Sequence, residues 1–367
     1  MHQNDHLLSL LWFIFLFLQT NPLINYSNSN IKTGISFATS NLYFLFEGNN
    51  MKIGVIGAGS VGVGICNYIL MLGSSQEVVL MDKNLERAQG EIYDFRHTTS
   101  LTFSKNIKLV ATDNYEALTG TDIVVITAGA QIKEGQDRLD LAEINCKICV
   151  DIAKNLDKVA PNAILIIVTN PCDIVTHFVV ANTRYDASKV ISAGCVIDTA
   201  RLMSIVASRV NLDPKNVFGY VLGEHGSHCF TPKSLISIAG QPADYYCDTN
   251  SLDRIDADEL LESVKQAGFE IFKRKQNTTH GISASVFRII QAIEINERSV
   301  LPVGSLLRGE YGLSDVVLSL PAVVGKHGIE SLLIHPFTED ELLSLYKIAD
   351  SMREHVNNVA QSCDLTH

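Results

Sequence analysis

The feature that most limits what this chain can fold into is one short passage. Lys52-Ile53-Gly54-Val55-Ile56 is a β-branched apolar run that ends in Gly57-Ala58-Gly59-Ser60-Val61-Gly62, and apolar residues then recur at helical spacing through Val63, Ile65, Cys66, Ile69 and Leu70. Strand, glycine turn and helix follow in that order. The spacing G-x-G-x-x-G has a mechanical reason. The first glycine permits the tight turn, the second lets a pyrophosphate approach the backbone, and the third lets helix and strand pack closely. The helix start supplies free N–H groups for phosphate oxygens.

A second strand reading, Glu77 to Met81, ends at Asp82, 20 residues beyond Gly62. A carboxylate there can take both ribose hydroxyls of an adenosine half and repels a 2′-phosphate, so the passage predicts NAD rather than NADP. The rival reading of Asp82 is an N-cap for a helix starting near Leu85, and both roles can coexist. Further runs at Ile107 to Ala111, Asp122 to Thr127 and Ala163 to Thr169 read as strands, and Asp137 to Val159 as a long helix. Strands alternating with helices predict an α/β fold with a doubly wound parallel sheet of the Rossmann type. Ligands of such sheets lie beyond the carboxyl ends of the strands. This singles out Thr127-Ala128-Gly129 and Thr169-Asn170-Pro171. The expected cofactor contacts are therefore Gly57, Gly59, Ser60, Val61, Gly62, Asp82, Thr127, Ala128, Gly129 and Asn170.

The 367 residues suggest two domains, at roughly 150 residues each. Residues 51–192 read as the NAD-binding domain and 193–367 as a mixed α/β substrate domain, with helices expected at Leu252 to Arg274, Ala284 to Glu297 and Glu339 to Val359. Residues 1–50 differ in character. They hold three charged side chains, Asp5, Lys32 and Glu47, but eight Asn, six of the fifteen Phe and the single Trp. They read as an extension, disordered or arising from a misassigned start. The apolar stretch Leu7 to Leu18 is 12 residues, short of the ~20 that a bilayer-crossing helix needs. No membrane partner is expected. With 29 Lys+Arg against 40 Asp+Glu, a net charge of -11 argues against nucleic acid as a partner. The one basic run, Lys273-Arg274-Lys275, reads as a solvated helix end. Eight scattered cysteines read as reduced thiols of a cytoplasmic protein. Cys146 and Cys149 have C-x-x-C spacing, but they fall inside a predicted helix without a second ligand pair, so no metal is expected.

Further along come Ile197-Asp198-Thr199-Ala200-Arg201 and Gly223-Glu224-His225-Gly226-Ser227-His228, with Arg138 standing alone after the segment Gln131 to Asp137. The glycine turn with Asp82, the T-A-G-A strand end, the V-T-N-P segment, the I-D-T-A-R helix start and the G-E-H-G loop resemble, in order and spacing, the L-lactate/L-malate dehydrogenase family. The likeness runs from Met51 to about the C-terminus. It implies reversible hydride transfer between NAD(H) and a 2-oxo/2-hydroxy acid. Such a reaction needs a proton donor for the developing alkoxide, a clamp for the carboxylate and positive charge near the carbonyl oxygen. By the resemblance, His225 is the acid and base and Asp198 orients it. Arg201 binds the substrate carboxylate through two prongs, as lysine would not. Arg138 closes over the carbonyl, Asn170 holds the carbonyl oxygen or the His225 side, and Thr278 lies beside the substrate. His228 and His280 are set aside as distractors.

The resemblance also places Ile132 at the position where malate enzymes carry arginine and lactate enzymes glutamine. A second substrate carboxylate would face an apolar side chain there, which disfavours malate. Ile132 can instead add about 0.8 kcal/mol per buried CH₂ of a longer tail. This resembles the L-2-hydroxyisocaproate dehydrogenase branch, with L-lactate dehydrogenase proper as the alternative. Ser227 departs from the aspartate usual after G-E-H-G. A homo-oligomer is implied, a tetramer or else a dimer. The rival from another class is a nicotinamide-binding protein without chemistry. The joint presence of His225, Asp198, Arg201 and Arg138 speaks against it.

Overall fold

The computed structural model describes residues 51–73, 75–101, 106–130, 138–363 and 365–366, without the side chains of residues 138–140. The expectations for residues 1–50 and for Ile132 lie outside the described residues.

The first half alternates as the sequence predicts. Strand β1 (Lys52–Ile56) leads through the glycine turn into helix α1 (Ser60–Leu72), then β2 (Glu77–Met81), α2 (Leu85–Thr98), β3 (Lys108–Thr112) and β4 (Ile123–Ile126). Helix α3 (Arg138–Val159) and β5 (Ile164–Ile167) continue it, and α4 (Cys172–Asn182) and β6 (Val190–Ser192), which the sequence reading does not name, complete it. These strands pair in the order β3-β2-β1-β4-β5-β6, all parallel. Ile-Val-Val-Ile of β4 and Ile-Leu-Ile-Ile of β5 are buried at every position, as strands covered on both faces by helices must be. Each such side chain contributes about 1.5–3 kcal/mol by leaving water.

The sheet does not stop at β6. Strand β12 (Ser299–Arg308) joins it antiparallel, Gly304 opposite Ser192, and pairs along its length with β13 (Ser314–Gly325). Strand β14 (Gly328–Leu332) and the short β8 (Leu222–Gly223) flank β13, and β9 (Cys229–Phe230) closes the edge. A separate three-stranded sheet is formed by β7 (Val217–Phe218), β10 (Ser237–Ile238) and β11 (Gln241–Pro242). The sequence reading of this half names helices and misses the long β12–β13 hairpin. Its signal is weak because both strands carry Ser and Pro, and Pro302 faces Pro321 across the ladder.

The expected helices are present with shifted limits, α5 (Val196–Val210), α7 (Ala257–Lys275), α8 (His280–Glu294) and α9 (Glu339–Ser362), and a short helix α6 (Ala243–Thr249) that the sequence reading does not name lies between the first two. Lys273, Arg274 and Lys275 form the last turn of α7, where cations offset the helix dipole. A capping box at Thr338 and Glu341 starts α9. Among the described residues, no helix is long and apolar enough to cross a membrane.

Candidate active site

The cofactor end is built by steric exclusion. Gly57 has φ +111°, and a Cβ on it would stand 2.6 Å from the Thr127 hydroxyl. A Cβ on Gly62 would stand 2.0 Å from the Gly57 carbonyl oxygen, so only hydrogen fits between helix and turn. Around Gly59 the situation reverses: a Cβ there meets nothing within 4 Å. That open space lies at the start of α1, whose N-cap Gly59 contributes no side-chain hydrogen bond and whose first turn carries no acid. The first-turn amides, including those of Ser60 and Val61, are thus presented to an anion. Thr127 donates its hydroxyl to the carbonyls of Ile56 (3.0 Å) and Gly57 (3.2 Å), tying β4 to the turn.

Asp82 accepts from the Ala58 N–H (2.7 Å) and the Asn84 N–H (2.9 Å). Helix α2 is capped by Asn84, which accepts from the Arg87 N–H, so the capping role falls to Asn84 and not to Asp82. Each Asp82 oxygen keeps acceptor capacity for a ribose hydroxyl. An open helix start, a turn with three glycines where side chains would intrude and a carboxylate fixed to that turn fit a dinucleotide without a 2′-phosphate.

Next to it, Thr169 donates to the Ala128 carbonyl (2.9 Å). Asn145 of α3 holds the chain ends after β4 and β5 together. Its carboxamide accepts from the Ala130 N–H (2.7 Å) and donates to the Asn170 carbonyl (2.7 Å). Asn170 itself is exposed and precedes Pro171 through a cis peptide bond. Sequence reasoning missed Asn145, although a fully buried amide on an otherwise apolar helix face is a legible signal.

The second cluster is held by charge. In the first turn of α5, the buried Asp198 accepts from Arg201 Nη1 at 2.8 Å through one oxygen and meets His225 Nδ1 at 2.7 Å through the other. Burial works against protonating His225 and is the largest single influence. The Asp198 charge, the hydrogen bond and the charge of Asp173 together outweigh it, so the imidazole pKa is raised. Burial likewise works against ionising Asp198, but His225 and Arg201 overcome it and hold the carboxyl below its usual range.

Asp173, which sequence reasoning missed, completes the cluster. It lies in the first turn of α4, accepts from the His225 backbone N–H at 2.7 Å and takes the Ser192 hydroxyl at 2.6 Å. Burial pushes its carboxyl up to about 6, against the opposing pull of those two hydrogen bonds. The clue in the sequence is an acid within the otherwise apolar run Cys172-Asp173-Ile174-Val175.

Arg201 and Thr278, distant in sequence, line one cavity of about 350 Å³. Ile197, Ala267, Ile271 and Ile282 supply its apolar walls. Gly268 leaves room for the guanidinium, since a Cβ there would stand 3.1 Å from it. The start of α8 forms another side of this cavity and packs on α1, with the Ser283 hydroxyl 3.3 Å from the Val61 carbonyl oxygen. This cavity and the dinucleotide turn thus share a wall. Arg138 opens α3, but its side chain, like Ile132, lies outside the described residues. Cys146 and Cys149 are buried, and burial raises both thiols, Cys149 to about 12, so the C-x-x-C pair is neutral core packing.

Residues 51–192 match the family model described as lactate/malate dehydrogenase, NAD binding domain, and residues 195–362 match lactate/malate dehydrogenase, alpha/beta C-terminal domain. The chain belongs to the lactate/malate dehydrogenase family. It is an NAD-dependent oxidoreductase of L-2-hydroxy acids. It is 42% identical over 311 residues to L-lactate dehydrogenase 2 of Clostridium acetobutylicum, covering 84% of this chain and 97% of the relative. With the L-lactate dehydrogenase of Acetivibrio thermocellus it shares 39% over 310 residues, 84% and 97% of the two chains. Among solved structures, it superposes on the minor L-lactate dehydrogenase from Enterococcus mundtii with TM-score 0.81 at 32% identity, covering 85% and 99% of the chains. For the malate dehydrogenase from Aeropyrum pernix the TM-score is 0.77 at 29% identity, with 83% and 97% covered. The similar relatives named here from Clostridium, Acetivibrio and Enterococcus carry the lactate name, not that of the hydroxyisocaproate branch suggested by Ile132.

Proposed function

We propose that the chain is an L-lactate dehydrogenase interconverting pyruvate and L-lactate with NAD, and that His225 is its acid and base. The observation that carries this reading is the Asp198 carboxylate shared between His225 Nδ1 and Arg201 Nη1, at 2.7 and 2.8 Å. One buried acid thereby fixes a proton donor and a carboxylate clamp relative to each other. When bound, NADH supplies the hydride for the carbonyl carbon.

The chain's own groups do the rest. With Nδ1 held by Asp198, Nε2 of His225 is the nitrogen left to give a proton to the carbonyl oxygen, and in the reverse direction to take it from the hydroxyl. Arg201 uses its remaining guanidinium N–H groups for the substrate carboxylate. Thr278 and the apolar lining orient the small body of the acid and keep water from it. By the family likeness Arg138 is the residue assigned to supply positive charge to the carbonyl, and Asn170 adds a donor. The NAD-binding and substrate domains meet near residue 192, and exposed Phe218 and Phe269 support assembly with further copies into a homo-oligomer, a tetramer in this reading.

The relatives' names favour pyruvate, whereas Ile132 favours a longer apolar 2-oxo acid. Steady-state rates with NADH on pyruvate, 2-oxoisocaproate, phenylpyruvate and oxaloacetate decide between them. Pyruvate is expected to give the highest kcat/KM. A higher value for 2-oxoisocaproate would move the assignment to the longer-chain branch, and a higher value for oxaloacetate would overturn the role given to Ile132.

A further inference from the structure

Three ligating side chains meet outside the cluster just described. Glu224, His228 and His355 each bring one carboxylate oxygen or imidazole nitrogen within 4.8 Å of the other two. Glu224 is buried and the two histidines are half-buried. The sequence reading sets His228 aside as a distractor and expects no metal because the C-x-x-C pair lacks a second ligand pair; His355, far along the chain on α9, does not enter it.

The fold explains the meeting. Gly223, at φ +104°, turns the chain into the β8–β9 hairpin, where Gly223 pairs with Cys229 and the Glu224 N–H donates to the His228 carbonyl at 2.8 Å. This sets Glu224 Oε2 2.6 Å from His228 Nδ1. On α9, Ile348 and Met352 are buried, Ile348 abutting Gly223, and helical spacing carries the same face on to His355. The rings of His228 and His355 lie 5.3 Å apart, tilted by 57°.

We propose that Glu224, His228 and His355 bind a divalent transition-metal ion, Zn²⁺ in the first place, leaving a further position to water. Two imidazoles and one carboxylate are a zinc donor set, and its ligand atoms stand about 2.0–2.2 Å from the ion. Such atoms are roughly 3.4 Å from one another in a tetrahedron, so the trio needs only side-chain adjustment to close on an ion. The ion takes the place of the proton shared by His228 and Glu224, and it staples the loop that carries His225 to α9.

Untagged full-length protein, stripped with chelator and dialysed, is titrated with Zn²⁺ by calorimetry and with Co²⁺ by visible absorption. One ion per chain, saturable Co²⁺ d–d bands and a Zn²⁺-dependent rise in Tm are expected. His355→Ala and His228→Ser should each lose all three signals. The metal-free NADH-dependent turnover of His355→Ala should stay at the wild-type level, which shows that this variant is folded. No saturable binding by the wild type, or bands that persist in both variants, would overturn the site.

Discussion

The two ends of the active site are built by different means. At the cofactor end, six consecutive residues shape a turn by what they lack, and two positions admit no Cβ at all. At the end proposed to handle the proton, Asp173, Asp198, Arg201 and His225 come from α4, α5 and the β8–β9 hairpin, and opposed charges hold them together. Steric construction is local and indifferent to pH. Electrostatic construction is long-range, depends on every member and titrates. The contrast therefore predicts that damage to one end leaves the other largely intact.

The largest effect is expected for His225→Ala. Loss of a general acid should lower kcat by on the order of 10²–10⁴, while NADH affinity, read by fluorescence titration, stays at the wild-type value. Equal losses in both would show that the two ends are not separable.

The glycine pair tests the other end. Gly62→Ala puts a methyl where the Gly57 carbonyl oxygen stands and should destabilise the fold by about 1–3 kcal/mol, with weaker NADH binding. Gly59→Ala adds its methyl to open space. It should leave Tm nearly unchanged and weaken NADH binding alone. Equal losses of Tm in the two would refute the steric account.

A smaller and finer effect is expected for Asp173→Asn. Asp173 is among the charges that raise the His225 pKa, so its removal should move the alkaline limb of pyruvate reduction to lower pH. The same residue has a stability signature. Its folded pKa, about 6, lies above the ordinary 3.8. Its contribution is therefore fully present below the ordinary value and is lost as pH rises through about 6. Urea midpoints of the wild type should carry this decline, and those of Asp173→Asn should lack it.

What was legible in the sequence follows the same division. The turn, Asp82 and strands β1 to β5 could be read because strand, turn and helix are contiguous there, whereas β6, three residues long, was not. The pairing of Asp198 with Arg201 was readable from one helical turn of spacing, and their convergence with His225 only through the family likeness. Asn145 and Asp173 escaped because their partners, backbone groups for Asn145 and the His225 N–H and Ser192 hydroxyl for Asp173, lie far away in sequence, so only the burial of a polar side chain in an apolar run hints at them. The β12–β13 hairpin escaped because Pro302 and Pro321, placed opposite each other, break the expected pattern in both strands. His355 escaped because a single histidine on a long helix gains meaning only from the hairpin it packs against.

The most direct test of the central claim is the pH dependence of kcat/KM for pyruvate reduction by the wild-type protein. In the proposed mechanism pyruvate reduction needs His225 protonated, and Asp198 and Asp173 raise its pKa above the ordinary 6.5. The rate should fall with rising pH across a midpoint above 6.5, while L-lactate oxidation rises across the same midpoint. A midpoint below 6.5, or a profile without one, would contradict the account.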